Sequence, residues 1–542
     1  MIPQVSSHGP TQQRARRTVA RYEWIWVAVA ASLVVTASTV PYVAGHLTQT
    51  PKLVFGGAVL DTPDYHSHLA KMWQGHRGSW RYRLLFTPED HEGAYLQTFY
   101  VALGHIARVS GLGLAVTYQI ARVALALLVL FTVYRFIAHF VLPVRLRRIA
   151  FLLATLASGL GWIREIIAPT AVGGVSPMSF WLIDGYTYLS LLTFPHFSLA
   201  IALLLAIFLL LLRESEGPSL KAGAGAALLS LLLGVVHPYM LLVADLVPAL
   251  YWTIDEFGTR RMWRGWLTLA GMGLVQAPIL AYDVWVFRTH AVFAAWSAQN
   301  VTLSPPISAY LWGYGFLIAL ALIGARASRR QSTRDVLFLW LWIGLISVLI
   351  YLPWNLQRRF LEGVQVPLAI LAGIGLTRVV GSIPYHRIRR SGPIAVAALA
   401  ATGNLYMTIA LTWGAGTRHP ALFWPHDVIA AVDWLGAHSE WNQTVLGAPD
   451  TGTLIAGRIG HRVVIGHEME TVDFEQKRMA VNRFYDVNTT EAERRSLLHR
   501  WQVEYVAYGP YEQALGDFSP SDSESLVPLY DQNGLIVYEV QR

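Results

Sequence analysis

Val59-Leu60-Asp61-Thr62-Pro63-Asp64-Tyr65-His66-Ser67-His68 stands just past the first apolar span of the chain, Trp24 to Gly45. Two carboxylates, two imidazoles and a phenol fall between Asp61 and His68, and ionisable groups gathered beside a membrane mark a working site by default. The stretch decides the fold because every later segment takes its side of the membrane from where this one is put.

Working outward, composition supplies the membrane. The 542 residues are 54% hydrophobic and 14% charged, with a mean hydropathy of +0.40, which excludes an ordinary soluble domain. Trp24 to Gly45, Ile149 to Ala168, Leu192 to Leu212 and Ser391 to Trp413 are each about 20 largely apolar residues, the length at which a helix crosses the hydrocarbon layer. Arg14, Arg16, Arg17 and Arg21 precede a first span that is too long for a signal-peptide core and has no small-residue cleavage site, so it is read as a retained anchor. With no cysteine, disulfides, thiolate zinc sites and cysteine nucleophiles are excluded. From Ala415 onward there are 10 Lys+Arg against 18 Asp+Glu, while the preceding part carries 32 against 16. The basic excess therefore follows membrane topology and calls for no nucleic-acid partner.

With the N-terminus cytoplasmic, the first span delivers Asp61 to the outside. Were Tyr95 to Val109 to cross as well, Arg145, Arg147 and Arg148 and every later basic turn would fall outside, against the positive-inside rule. This segment is therefore read as a helix on the outer surface. The turns at Arg145/Arg147/Arg148, Arg213/Lys221, Arg260/Arg261/Arg264, Arg326/Arg329/Arg330/Arg334 and Arg387/Arg389/Arg390 then all face the cytoplasm. The apolar run Ala222 to Trp252 breaks at His237-Pro238-Tyr239 into two short helices meeting at the outer face. The expected fold is a polytopic α-helical membrane protein of about eleven transmembrane helices with a small soluble α/β domain at the C-terminus. Its parts are a cytoplasmic tail (1–23), a membrane domain (24–414) with a large first outer loop (47–113), and an extracytoplasmic domain (415–542). In that last part the pattern predicts strands at Val445 to Ala448, Val463 to Gly466 and Val503 to Tyr508. Helices are predicted at Asp450 to Ile459, Phe474 to Tyr485 and Glu491 to Trp501, and a hairpin of Leu526 to Tyr530 with Leu535 to Val540 around Gln532-Asn533-Gly534. It contains no GxGxxG and no P-loop.

If Asp61 to Met72 is helical, Asp61, Asp64/Tyr65, His68 and Lys71/Met72 share one polar face. Transfer of a sugar held on a lipid phosphate needs a base for the acceptor hydroxyl. Asp61 fits that role and Asp64 is the second catalytic carboxylate, with Tyr65, His66 and His68 as substrate contacts. Asp61, Asp64 and His68 are also the candidates for a divalent metal, Mg or Mn, although their spacing matches no metal motif. A plainer role stands beside these: Asp61 and Asp64 cap a surface helix with Pro63 in its first turn. In Thr87-Pro88-Glu89-Asp90-His91-Glu92-Gly93, Glu89 and His91 either form a solvated charge run or fold back over Asp61. Asp184 lies among Trp181, Tyr186 and Tyr188, with His196 opening the next span; these line a sugar acceptor or simply populate a membrane interface. Arg358 and Arg359 begin a span from the outer side, against the sign rule. They grip a lipid phosphate, or snorkel to headgroups or pair with Glu362. His237, at the helix break, either lines the same cavity or is a satisfied polar residue.

Asp61-x-x-x-Tyr65, followed by Ala70 and Gly75, resembles the first outer-loop signature of the GT-C superfamily of integral membrane glycosyltransferases, in particular the bacterial mannosyl- and arabinosyltransferase branch that uses polyprenyl-phosphate sugars. The likeness extends to the anchor span, the large first outer loop, the arginines opening a late span and the outer C-terminal domain. It implies inverting transfer from a polyprenyl-phosphate sugar to a glycan, lipid or protein acceptor. It places the chain in a bacterial cytoplasmic membrane with the active face outside and Asp61 catalytic, among membrane lipids and without a nucleotide-sugar site. Thr62 stands where the family often has a second acid, so a paired carboxylate falls to Asp64, Glu89 or Asp184. The tail motif Gly460-His461-Arg462-Val463-Val464-Ile465-Gly466-His467-Glu468-Met469-Glu470-Thr471 carries no assigned chemistry; His467 and Glu468 overhang the cavity or are loop residues of the α/β domain. Two rivals keep the same spans: a transporter or flippase of a lipid-linked saccharide, which needs polar residues along the middles of several helices, and a non-catalytic membrane scaffold of the same fold.

Overall fold

A computed structural model describes residues 18–167, 176–216, 219–328, 333–532 and 534–541. Arg14, Arg16, Arg17, Arg329, Arg330, Asn533 and the first part of the Ala168 to Phe194 loop lie outside the described residues. The chain divides into two compact units: Met1–Thr39, Arg122–Leu280 and Thr302–Ile409 form the first, and Val40–Ala121, Ala281–Val301 and Ala410–Arg542 the second.

Apolar sequence in lipid must satisfy its own backbone, and helices do so. Among the described residues, five helices are long and apolar enough to cross a membrane: Arg21–Leu47, Leu114–Phe140, Pro195–Arg213, Arg260–Thr289 and Ile307–Arg326. Two bent pairs, Val144–Leu156 with Gly161–Ile167 and His386–Ala400 with Thr402–Gly416, bring the number to seven. The chain is an integral membrane protein. The break read at His237-Pro238-Tyr239 separates the Leu220–Val236 helix from Met240–Asp255.

Inside the first unit, Glu23 accepts from the Tyr134 hydroxyl at 2.7 Å and from Arg147 Nη1 at 3.0 Å, and Thr39 Oγ1 accepts from Arg122 Nη2 at 3.2 Å. The start of the Arg21–Leu47 helix thus lies beside the end of Leu114–Phe140, and the two run antiparallel. A segment joining them begins and finishes at the same end. The helix read at Tyr95 to Val109 covers Thr98–Ser110, 13 residues, or about 20 Å of rise. Later in the unit, a Cβ at Gly324 would lie 2.1 Å from the Leu371 carbonyl and one at Gly375 1.9 Å from that of Leu320. This is the backbone approach that small residues permit between membrane helices.

The second unit is built on a five-stranded sheet. Its strands are β3 (Thr444–Leu446), β4 (Arg462–Val463), β5 (Val503–Tyr508), β6 (Leu526–Gln532) and β7 (Leu535–Val540), in the order β4-β3-β5-β7-β6. Strand β3 is parallel to β4 and β5, and β7 is antiparallel to β5 and β6. A separate antiparallel pair joins β1 (Leu53–Phe55) to β2 (Phe423–Pro425). Alternate residues enter opposite cores, as a two-residue period dictates. Val445, Tyr505, Ala507 and Val537 pack with Leu454, Ile455 and Val432, while Leu446, Val506 and Tyr538 pack with Val481, Phe484 and Leu498. Helices Pro449–Ile459, Phe474–Tyr485 and Glu491–Arg500 fall where the sequence predicts them.

The Thr62–His76 helix is buried along most of its length and lies between Thr98–Ser110 and Pro449–Ile459. A Cβ at Gly75 would sit 1.9 Å from the Val101 carbonyl, and one at Gly104 1.9 Å from that of Met72. On the other side, a Cβ at Gly457 would meet the His66 side chain at 2.6 Å. Gly75→Ala should therefore cost about 1–3 kcal/mol or more, as overpacking does, lowering the thermal unfolding temperature of the purified protein. Gly271→Ala, with nothing within 4 Å of its Cβ, should leave that temperature unchanged or slightly raised.

Candidate active site

Asp61 adopts φ 52° and ψ 56°, the left-handed region, at the N-cap of Thr62–His76. Non-glycine residues seldom adopt this conformation, and aspartate tolerates it better than most because its short side chain bonds locally. Held strain of this kind gathers at working sites. The helix starting at Thr62 corrects the shared face read from spacing: Asp64, His68 and Lys71 follow its turns, while Asp61 stands off its end.

Asp64 Oδ1 accepts from His467 Nε2 at 2.7 Å. In the neutral ring the Met469 amide donates to His467 Nδ1 at 3.0 Å, leaving Nε2–H for Asp64. Farther along the helix, Lys71 Nζ donates to Glu470 Oε1 at 2.7 Å, and the Tyr82 hydroxyl to Oε2 at 3.3 Å. The tail motif thus closes over the helix through two ion pairs. Burial, then the Asp64 carboxylate, push the Asp61 acid up to about 7 against the opposing pull of His467. For His467, burial draws the imidazole down, but the hydrogen bond and charge of Asp64, with the charges of Glu470 and Asp61, outweigh it and raise the group above its ordinary value. A carboxyl that titrates near neutrality can be ionised in use and still hold a proton once it has taken one.

The remaining candidates of this unit are placed by packing. Tyr65 is buried with its ring edge-on to Tyr118, and His68 stacks on Tyr100 with ring centroids 4.0 Å apart. His66 lies against Gly457, and among the described residues its ring nitrogens have no hydrogen-bond partner. Burial, helped by the charge of Arg458, pushes it down to about 4. Glu89 is paired with Lys477: its Oε2 accepts from Lys477 Nζ at 2.7 Å, a buried ammonium that offers it a full charge partner. His91 braces its own turn, Nε2 accepting from the Leu84 amide at 2.9 Å and Nδ1 donating to the Glu89 carbonyl at 2.8 Å. Among the described residues no three His, Asp or Glu side chains converge as a metal requires. With His68 held against Tyr100, the set Asp61, Asp64 and His68 does not fit a metal, and no step is derived through one.

The first unit gathers the other five candidates. Asp184, in the turn Ile183–Gly185, accepts from Arg359 Nη1 at 3.2 Å, and Arg358 Nε lies 3.9 Å from its second oxygen. Glu362 pairs with His237 Nδ1 at 2.7 Å rather than with the arginines, and the Tyr239 hydroxyl lies 3.0 Å from that nitrogen. The rings of His196 and His237 meet edge to face at 4.8 Å, and Arg358 lies over Trp181 at 5.3 Å. Of the two readings of His467, cavity or loop, the pairing with Asp64 brings it to the cluster; Glu470 is not singled out by sequence, where the signal is an imidazole and two acids clustered after an apolar strand, and Glu362 is read there only as a partner for the arginines.

No protein-family model matches the chain, and no curated protein matches it. Solved structures do. ArnT from Cupriavidus metallidurans, bound to undecaprenyl phosphate, superposes with a TM-score of 0.54 at 14% identity over 96% of this chain and 98% of that one. The chain has the GT-C fold. The GT-C fold extends to the Archaeoglobus fulgidus oligosaccharyltransferase tethered to an acceptor peptide, with a TM-score of 0.51 at 14% identity over 95% and 74%. It extends also to the arabinofuranosyltransferase AftD from mycobacteria, with a TM-score of 0.51 at 15% identity over 97% of this chain but 40% of that one. Two of the GT-C signature positions are packing positions here: Ala70 is 1% exposed, and Gly75 is the close helix crossing.

The raised His467 value gives a signed expectation. Its pairing with Asp64 contributes fully below the unfolded imidazole value of about 6.5 and is lost as pH rises through the higher folded value. His467→Gln should therefore cost about 1–2 kcal/mol at pH 6, and the gap to wild type should narrow as pH rises above the ordinary imidazole range in unfolding measured across it.

Proposed function

We propose that this chain is a membrane glycosyltransferase that moves a sugar from a polyprenyl-phosphate donor to an extracytoplasmic lipid, glycan or protein acceptor, with Asp61 as general base. The observation that carries this reading is the acid pair Asp61 and Asp64 beside His467, at a strained helix start in a GT-C fold. The ArnT structure of that fold holds undecaprenyl phosphate, and we extend that donor class to this chain. As the acceptor hydroxyl attacks the anomeric carbon, its proton passes to the Asp61 carboxylate. The bond from that carbon to the phosphate oxygen breaks, its electron pair leaves with the polyprenyl phosphate, and the anomeric centre inverts. Asp64 keeps the Asp61 proton affinity high, and His467 fixes Asp64. Arg358 and Arg359 are our candidates for the donor phosphate, with Asp184, His196 and His237 around them. The membrane is the bacterial cytoplasmic one, with Asp61 and the domain 415–542 outside. The shorter apolar helices Leu220–Val236, Val336–Leu349 and Gln365–Gly381, with Met240–Asp255, complete about eleven spans if helices shorter than the usual ~20 residues cross.

Purified protein in lipid with radiolabelled polyprenyl-phosphate mannose and arabinose provides the test. Asp61→Asn should lose about 10²–10⁴-fold in transfer; transfer at the wild-type rate in that variant sinks the proposed base. The wild-type rate should rise along an acid limb near pH 7. His467→Gln, which removes the group opposing the raised Asp61 value, should move that limb to higher pH; an unmoved limb means that another group titrates.

A further inference from the structure

The Thr87 to Gly93 charge run has no part in the Asp61 cluster, yet it is more than a solvated face. It forms one side of a cavity of about 310 Å³ whose other walls come from the helix starting at Phe474 and the turn after the helix ending at Arg500. Glu89, Asp90, Asp473, Lys477, Arg500 and Gln502 supply its polar surface, and Trp501 an aromatic wall. Lys477 is 4% exposed and fixed in place, its Nζ donating to Glu89 Oε2 at 2.7 Å and to Thr87 Oγ1 at 2.8 Å. Two lining residues, Asp473 at φ 52° and Gln502 at φ 48°, are held in the left-handed region. For glutamine this is a sparsely populated conformation of the kind concentrated at ligand clamps.

We propose that this cavity is a binding subsite for a short saccharide, distinct in its residues from the Asp61, Asp64 and His467 cluster. The argument is one of chemical class. An anion would face the carboxylates of Glu89, Asp90 and Asp473, and a metal cation would face the Lys477 ammonium and the Arg500 guanidinium. A sugar hydroxyl donates to a carboxylate and accepts from a cation or an amide, so a neutral polyol satisfies both kinds of wall at once. The volume lies at the lower end of the ~300–1,000 Å³ seen for ligand pockets, which suits a short saccharide and not a polymer strand. Recognition here does not require that the chain catalyse transfer, so the two readings fail separately.

The test is saturation-transfer NMR on the full chain in lipid nanodiscs with the methyl glycosides and linear di- and trisaccharides of mannose and arabinofuranose. Wild type and Asp61→Asn should both transfer saturation to at least one of these sugars. Two changes address the cavity: the exposed pair Asp90→Ala with Arg500→Ala, and Ala480→Trp, which fills it from the wall. Each should weaken that binding at least about ten-fold while circular dichroism of the helices stays as in wild type. Absence of any signal from wild type overturns the subsite, as does equal binding by both cavity variants. Loss of binding in Asp61→Asn also overturns it, because the sugar would then sit in the transfer site. Displacement of every sugar by millimolar inorganic phosphate overturns the chemical class.

Discussion

Close backbone approach on two sides of one helix is the constraint from which the candidate site follows. The Thr62–His76 helix meets Thr98–Ser110 where Gly75 and Gly104 each leave room for a carbonyl, and it meets Pro449–Ile459 where Gly457 leaves room for His66. Side-chain polar groups lock the same seat: Trp73 Nε1 donates to the Gly457 carbonyl at 3.0 Å, and Arg77 donates to the Ile459 and Gly460 carbonyls at 2.8 and 2.9 Å. These carbonyls sit at the end of a helix, where they lack intrahelical partners and a guanidinium is favoured. With its length fixed by packing, the helix has little freedom in where its first turn begins. Asp61, at the start of that helix, carries the left-handed backbone.

The electrostatics of the site rest on that seat. Burial, and then the Asp64 carboxylate three residues on, raise the Asp61 acid; left alone, such a pair would shed charge by protonation. His467 opposes this, and Lys71 serves a different acid. His467 answers Asp64 directly, whereas Lys71 is matched to Glu470, itself buried. The tail motif therefore brings one partner for the acid and one for the base of the same helix. A buried pair of this kind is weak evidence for stability but strong evidence that its members need fixed positions, since removing either leaves a charge in a poor solvent.

Period and punctuation made much of this fold legible in sequence. Strand β5 and the Phe474–Tyr485 helix fall at the predicted bounds because two-residue alternation and a helical stripe are local properties. Proline at position 238 marked the helix break for the same reason. The partners of Asp64 and Lys71 were not legible, since His467 and Glu470 lie 403 and 399 residues away along the chain and no local pattern encodes a contact of that separation. Glu89 illustrates the converse. Its acidic run is visible in the sequence, but its destination depended on Lys477, which sits in an ordinary amphipathic helix with nothing to distinguish it. The left-handed conformation of Asp61 was equally hidden, because aspartate before threonine and proline reads first as a helix cap.

Arg358 and Arg359 show how a structural explanation and a functional one compete. Their position against the sign rule suggested a phosphate, since charge in a disfavoured place needs compensation. Asp184 supplies compensation from within the chain: it is 4% exposed, accepts from Arg359 and lies near Arg358. The anomaly in the sequence is thus answered without a ligand, and the arginines alone are a weaker argument for phosphate than their spacing implied. What remains distinctive is geometric. One carboxylate engages two neighbouring guanidiniums beside the aromatic rings of Trp181 and Phe197, and a phosphodiester presents the same pair of acceptor oxygens as that carboxylate does. Any phosphate bound there competes with Asp184 for donors already aligned, so affinity depends on how readily Asp184 gives them up and not on the number of arginines.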